Sequence, residues 1–315
     1  MIKTELILNL DTGIDDAYAI MLATMAESID LSAIVTSYGN RSLETTTENT
    51  LRIVQLMGKN TPVVIGKSEP LFANTRVEFR GSAAHGDDGL GNRAGLLPYA
   101  TLKPVEISAT EYMAKILADS RGEVIIVNTA PLTNIALLLL AHPELKDKIA
   151  TIVISGGAIE RGNILPTVEA NIFADPEAAQ VVIQSGVKLT ICPLDTGDKA
   201  YSTFEDRERF RLASNRTARF LGEVVRHYAD HYENLLGREG SPLHDVVPMA
   251  WVLNPKLVET TPCYVEVDLT GYYTKGALMI DRLKLLQKES NASVAVSVDR
   301  EGINQLIYES LRRAR

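Results

Sequence analysis

The chain has 315 residues, 45% of them hydrophobic and 23% charged, with a formal net charge of −8. This is the composition of a soluble globular protein with a large core, and the negative balance argues against nucleic acid or an anionic membrane as partner. The longest aliphatic run, Ile135 to Ala141, is far short of the roughly 20 residues that span a bilayer. The opening Met1-Ile-Lys-Thr-Glu5 has no charged-then-apolar leader pattern, and Cys192 and Cys263 sit in apolar surroundings, so reduced buried thiols and a cytoplasmic location are expected.

Strands are predicted at Leu6–Leu10, Leu31–Ser37, Pro62–Ile65, Glu123–Asn128, Ile149–Ser155 and Val187–Pro193. Helical patterns fall at Ala17–Ala26, Leu43–Met57, Ala109–Asp119, Leu132–Leu140, Pro176–Gln184, Arg216–Leu236 and Asn304–Arg313. Three shorter strands, Cys263–Asp268, Ala277–Asp281 and Ser293–Val298, close the chain and could be antiparallel. Phe72–Pro104 and Asp195–Ser202 read as loops, the first too long for a plain connector. Repeated β-then-α order implies right-handed crossovers, hence an α/β fold with an open, mainly parallel central sheet flanked by helices. No linker or repeat divides the sequence, so a single domain over residues 1–315 is expected.

The informative feature is Asp11-Thr-Gly13-Ile-Asp15-Asp16, directly after the first strand. Ligands of open α/β sheets bind at the carboxyl ends of strands, and three carboxylates this close repel unless a cation joins them. Oxygen-rich clusters favour a hard cation such as Ca²⁺, although Asp15 and Asp16 would also suit a helix N-terminus. Other strands end in Tyr38-Gly39-Asn40, Asn128-Thr129-Ala130-Pro131 and Ser155-Gly156-Gly157. Gly162-Asn163, Glu169-Ala170-Asn171, Asp175-Pro176 and Pro242-Leu243-His244-Asp245 follow. Each has a structural reading: Asn40 and Asn163 as turn residues, Asp175 and Asp245 as helix caps. Their gathering at one sheet edge has no such reading.

These motifs, with His85-Gly86-x-x-Gly89-Leu90 and Asn128-Thr129-x-Pro131-Leu132-Thr133-Asn134, resemble the nucleoside hydrolases, the inosine–uridine-preferring, calcium-dependent N-ribohydrolases. The resemblance runs from Leu6 to beyond Asp245. It implies hydrolysis of the N-glycosidic bond of ribonucleosides in nucleoside salvage, a single Ca²⁺ and a homodimer or homotetramer. By resemblance, Asp11, Asp16, Asp245 and the main-chain carbonyl of Thr129 would hold the metal. Asp15, Asn40 and Asn171 would hold the 2′- and 3′-hydroxyls, and Asn163 and Glu169 the 5′-hydroxyl. Asp11 is then the natural general base for a metal-bound water. His244 is the candidate acid for the leaving base, and His85 a candidate base contact. Tyr228 and Tyr232, four apart on one helix, could form a hydroxyl relay, although Leu221, Val225 and Leu235 continue the same stripe as plain core packing. His227 and His231 read as surface histidines, and His142 as a helix end.

Four positions depart from the family pattern. Asn9 replaces a usual aspartate, which predicts weaker metal binding. Ser155 and Ala170 stand where methionine and an aromatic are usual, which predicts a roomier pocket, and Thr12 for proline is expected to matter little. Asn9 also removes the nucleophile a haloacid-dehalogenase-type phosphatase would need, and neither Gly-x-Gly-x-x-Gly nor a P-loop follows the first strand. The rival that remains is a non-catalytic nucleoside-binding or sensor protein that keeps the pocket.

Overall fold

The computed structural model describes residues 3–72, 83–237 and 239–314. Its strands are β1 (Thr4–Leu10), β2 (Ile29–Thr36), β3 (Val63–Ile65), β4 (Val124–Asn128), β5 (Ile149–Ser155), β6 (Leu189–Cys192), β7 (Tyr201–Ser202), β8 (Ser241–Pro242), β9 (Val258–Val267), β10 (Leu278–Asp281) and β11 (Ala292–Val298). Among the described residues, nine of these form one sheet in the order β10-β9-β11-β6-β5-β4-β1-β2-β3, and β7 pairs with β8 apart from it. From β3 to β11 the pairings are parallel; β9 and β10 add an antiparallel edge. The α/β class and the mainly parallel sheet are as the sequence predicts.

Eleven helices connect and flank the described strands: α1 (Ile14–Met25), α2 (Leu43–Leu56), α3 (Ala109–Asp119), α4 (Thr133–Ala141), α5 (Ala170–Ala174), α6 (Pro176–Ile183), α7 (Leu194–Lys199), α8 (Phe204–Arg211), α9 (Arg216–Leu236), α10 (Val246–Leu253) and α11 (Arg300–Arg313). Side chains alternate across each strand, so β1 feeds two cores. Leu6, Leu8 and Leu10 pack with α1, α9, α10 and α11, whereas Ile7 packs with α3, α4 and α6. Burial on both faces is why β1 reads as a nearly unbroken apolar run.

The chain runs β1, β2, β3 outward on one side, then returns to β4 beside β1 and continues outward on the other. The reversal opens a crevice between the carboxyl ends of β1 and β4, where the connections diverge to opposite sides. Asp11 to Asp16 follow β1 and Thr129 follows β4, so the acidic motif lies at this switch point.

Several boundaries differ from the predicted ones for local reasons. Helix α1 begins at Ile14, not Ala17, because the Asp16 carboxylate accepts the Gly13 amide at 2.8 Å and closes the first turn over the acidic pair. The segment Asp195–Ser202, read as a loop, contains α7 and β7; Thr196 Oγ1 donates to the Pro193 carbonyl at 2.7 Å and braces that turn. Helix α8 was hidden by its charge, and a Thr203–Asp206 capping box starts it. Strand β9 starts five residues before Cys263, paired with β11 over its whole first half. The long Phe72–Pro104 stretch contains two single 3-10 turns, Ala83–His85 and Ala94–Leu96, while residues 73–82 lie outside the described residues. Cys192 and Cys263 are buried free thiols. No described helix is long and apolar enough to cross a membrane.

Candidate active site

Four carboxylates converge at the switch point. Asp15, Asp16 and Asp245 offer oxygens that all lie within 4.8 Å of one another. Asp11 adjoins them: its Oδ2 accepts the Asn40 amide at 2.5 Å, and Asn40 Nδ2 reaches both the Asp11 carbonyl and Asp16 Oδ2 at 3.3 Å. Gly39 makes this approach possible, since a Cβ there would collide with Asp11 Oδ2. All four acids are nearly or fully buried. Asp11 Oδ1 and Asp15 Oδ1 are enclosed without a hydrogen-bond partner among the described residues.

This crowding sets the electrostatics. Burial raises the pKa of Asp11 well above the usual carboxylate range, and the Asp16 charge adds to it. Burial, then the Asp15 charge, pushes Asp16 up to about 7. Asp245 rises for the same reasons, burial first and then Asp15, Asp16 and Asp11. The basic side chain of His85 adjoins this cluster, its Nδ1 3.9 Å from Asp15 Oδ1, but it is charged only if protonated. Without a cation the cluster holds protons; an oxygen-binding dication would satisfy both the orphaned oxygens and the repulsion.

The pocket above the carboxylates is lined by Asp15, Asn40, His85, Thr129, Ser155, Asn163, Glu169, Ala170, Asn171, Tyr228, Tyr232, His244 and Asp245, among others. Asn171 Nδ2 bridges the carbonyls of Thr129 and Ser155, both at 3.1 Å, tying the ends of β4 and β5 together. Glu169 caps α5, accepting the amides of Asn171 (2.8 Å), Ile172 (3.2 Å) and Gly157 (3.0 Å). Asn163 Oδ1 accepts the Ala170 amide at 2.9 Å, which leaves its Nδ2 as a donor.

Opposite these groups, α9 delivers an aromatic wall. Tyr228 donates to Asp15 Oδ2 at 2.9 Å, its ring meets Tyr232 at 4.8 Å, and Tyr232 meets His244 at 5.6 Å, both edge-on. The His85 ring lies 5.1 Å from Tyr228, and its Nδ1 accepts the Ile14 amide at 3.0 Å. That bond places the ring proton on Nε2, and burial holds the imidazole at a pKa of about 4, so His85 is a neutral donor. Both His244 nitrogens are enclosed without hydrogen-bond partners among the described residues, and burial lowers its pKa against the pull of Asp198 and Asp15. The Nδ1 edge of this ring is packed so closely on α7 that a Cβ at Gly197 would collide with it.

The profile of inosine-uridine preferring nucleoside hydrolases matches residues 6–305. The pyrimidine-specific ribonucleoside hydrolase RihA of Escherichia coli O81 (strain ED1a) is 41% identical over 309 residues, 98% of each chain. The chain belongs to the nucleoside hydrolase family. Among solved structures of nucleoside hydrolases, a plant enzyme, PpNRh1, superposes with a TM-score of 0.89 at 30% identity, covering 98% of this chain and 99% of that one. A purine-preferring ribonucleoside hydrolase from Gardnerella vaginalis gives 0.89 at 32% identity over 98% of each.

Within this nucleoside hydrolase fold, every residue expected at the sugar or base lines one pocket, and Asp11 and Asp16 lie buried beneath it. The tightest carboxylate set differs from the expected ligand set by holding Asp15 where Asp11 was expected. Asp245 occupies the N-cap position of α10 but makes no cap bond with its side chain. Asp175 does cap, accepting the Ala178 amide at 3.0 Å. His227 and His231 are half-buried on α9 rather than on the open surface, and His142 ends α4 as expected.

The departures acquire structural meaning. Asn9 is fully buried and its side chain hydrogen-bonds two other amides: its Nδ2 donates to Asn128 Oδ1 at 2.6 Å, and its Oδ1 accepts from Asn134 Nδ2 at 2.9 Å. Ser155 lines the pocket with Asp245, and its hydroxyl pulls the Asp245 carboxyl down against the effect of burial, an influence a methionine could not exert. Sequence reasoning missed this influence and the Arg161–Asp198 ion pair (2.5 Å) near His244. The second had no readable signal, because α7 was taken for a loop.

Proposed function

We propose that this chain is a Ca²⁺-dependent ribonucleoside hydrolase, a single domain over residues 1–315 that releases ribose and free base in nucleoside salvage. The observation that carries this reading is the set of buried carboxylates with two orphaned oxygens at the floor of a polar pocket. Asp11, Asp16, Asp245 and the Thr129 carbonyl would hold the cation. Every donor is oxygen, which suits a hard dication. When bound, the cation lowers the pKa of a coordinated water and orients it.

The rest falls to the protein. Asp11 Oδ1, without a hydrogen bond among the described residues, would take the water proton as general base. Asp15, Asn40 and Asn171 grip the ribose diol, and Asn163 Nδ2 with Glu169 brackets the 5′-hydroxyl. Carboxylates around the sugar suit a transition state with oxocarbenium character. On the other side, the His85 Nε2–H, Tyr228, Tyr232 and His244 receive the departing base. Burial counts against a standing imidazolium at His244, so with substrate bound its neutral ring would donate a hydrogen bond to the departing base, which leaves as an anion and takes its proton from solvent.

Similarity to the pyrimidine-specific RihA favours pyrimidine ribonucleosides as the first substrates to test. The experiment is release of reducing sugar from uridine, cytidine, inosine and adenosine, with Ca²⁺ and then with a chelator. Chelator-sensitive release with pyrimidines leading is expected. Retention of intact nucleoside without release would replace this reading with a nucleoside sensor.

A further inference from the structure

One cation beside the pocket has no part in the chemistry above. Arg41 follows Asn40 in the connection after β2, and among the described residues its guanidinium donates to three carbonyls. Nη1 donates to Asn40 at 2.7 Å, Nε to Asp87 at 3.0 Å and Nη2 to Gly86. The last two peptides come directly after His85. The loop beyond is closed on itself: the Asp88 carboxylate accepts the amides of Leu90 (2.8 Å), Asn92 (2.9 Å) and Ala94 (2.8 Å), and the Gly91 amide returns to the His85 carbonyl at 2.8 Å. Asn49 Nδ2 fastens the Asp88 carbonyl to α2 at 2.9 Å. Arg41 therefore joins a pre-formed loop to the peptide of Asn40.

We propose that Arg41 is a positioning residue, which sets His85 against Asn40 so that the base and the sugar are gripped in register. This rests on the hydrolase reading above. A planar fork with donors in fixed directions can span three carbonyls at once; the single ammonium of lysine cannot hold them in one geometry. The fork fixes the peptides that follow His85, and the Ile14 amide fixes the ring, so the Nε2–H direction depends on both ends. The backbone requires freedom at this point, since Gly86 has φ of +67°.

The test is a double-mutant cycle with uridine as substrate: wild type, R41A, H85A and the double variant, with R41K alongside. Misplacing a contact group by about an ångström costs up to about 100-fold, so R41A is expected to lower kcat/KM by about 10- to 100-fold. The double variant should be no worse than H85A alone, because the two act as one unit. R41K, which keeps the charge and loses the fork, should fall between wild type and R41A, and it answers the question if R41A does not fold. A second readout needs no turnover: the ¹⁵N spectrum of the His85 ring should show one sharp Nε2–H signal in wild type and a shifted or broadened one in R41K. Multiplicative losses in the cycle, or an unchanged His85 ring spectrum in both Arg41 variants, would overturn the proposal. An inactive wild type would remove the hydrolase reading, and the ring spectrum would still decide the role of Arg41.

Discussion

Removing the cation should turn the carboxylate cluster into a pH-dependent burden on the fold. The folded pKa of Asp16 lies above its unfolded value, so between pH about 4 and 7 the native state holds a proton that the unfolded chain has released. Stability of the cation-free protein therefore falls as pH rises through this window, and the full penalty is present above it. A rise from 3.8 to about 7, at ~1.4 kcal/mol per pH unit, amounts to about 4 kcal/mol from this group. Asp11 and Asp245 shift in the same direction. His85 acts oppositely, since its folded pKa of about 4 removes stability as pH falls below its usual 6.5. That contribution is common to both forms and cancels in a difference. The assay is thermal unfolding at pH 5, 6, 7 and 8 in excess Ca²⁺ and in chelator. At about 2 °C per kcal/mol for a chain of this size, the gap between the two midpoints should widen to roughly 8 °C by pH 8. A gap that stays constant or narrows as pH rises would refute the reasoning, because the cluster would then carry no proton to lose.

Asp11→Asn should leave the fold intact and lower kcat by more than about 1000-fold, with uridine binding retained by isothermal titration. His244→Ala should reduce turnover of uridine by about 100-fold but hardly affect p-nitrophenyl riboside, whose leaving group departs without a proton; equal losses on both would remove His244 from leaving-group assistance. Gly197→Ala drives a methyl group into His244 and should cost about 1–3 kcal/mol in urea unfolding, with a fall in kcat. Ser155→Ala removes the hydroxyl that favours the charged form of Asp245 and should weaken Ca²⁺ affinity by about 10-fold, read by titration with the metal.

The parts of the fold legible in the sequence are those where one physical cause dominates. β1, β4 and β5 are apolar runs buried on both faces, and their ends were placed within a residue or two. The site was legible because its residues are fixed near the strand ends by backbone geometry: Asn40 lies four residues past β2, Thr129 follows β4, and Asp11 follows β1. Elements whose stability comes from local capping were not legible. Helix α8 has too few apolar positions to show a helical stripe, and α7 is held by contacts with β8 and α10 that no pattern within it announces. The tautomer of His85 was also out of reach, since it depends on an amide 71 positions away.

The buried chain of amides through Asn9, Asn128 and Asn134 has a consequence for how this family can drift. Asn9 uses its two ends differently, giving a proton to Asn128 and taking one from Asn134, while Asn128 gives its own to the Ala130 carbonyl at 2.6 Å. An aspartate at position 9 would face the Asn128 oxygen with another oxygen, and only a reversal of the Asn128 amide would relieve it, at the expense of the Ala130 bond. The three positions are thus inherited as a polarity rather than as separate letters, and a lineage that exchanges one amide for an acid must reset the direction of the rest.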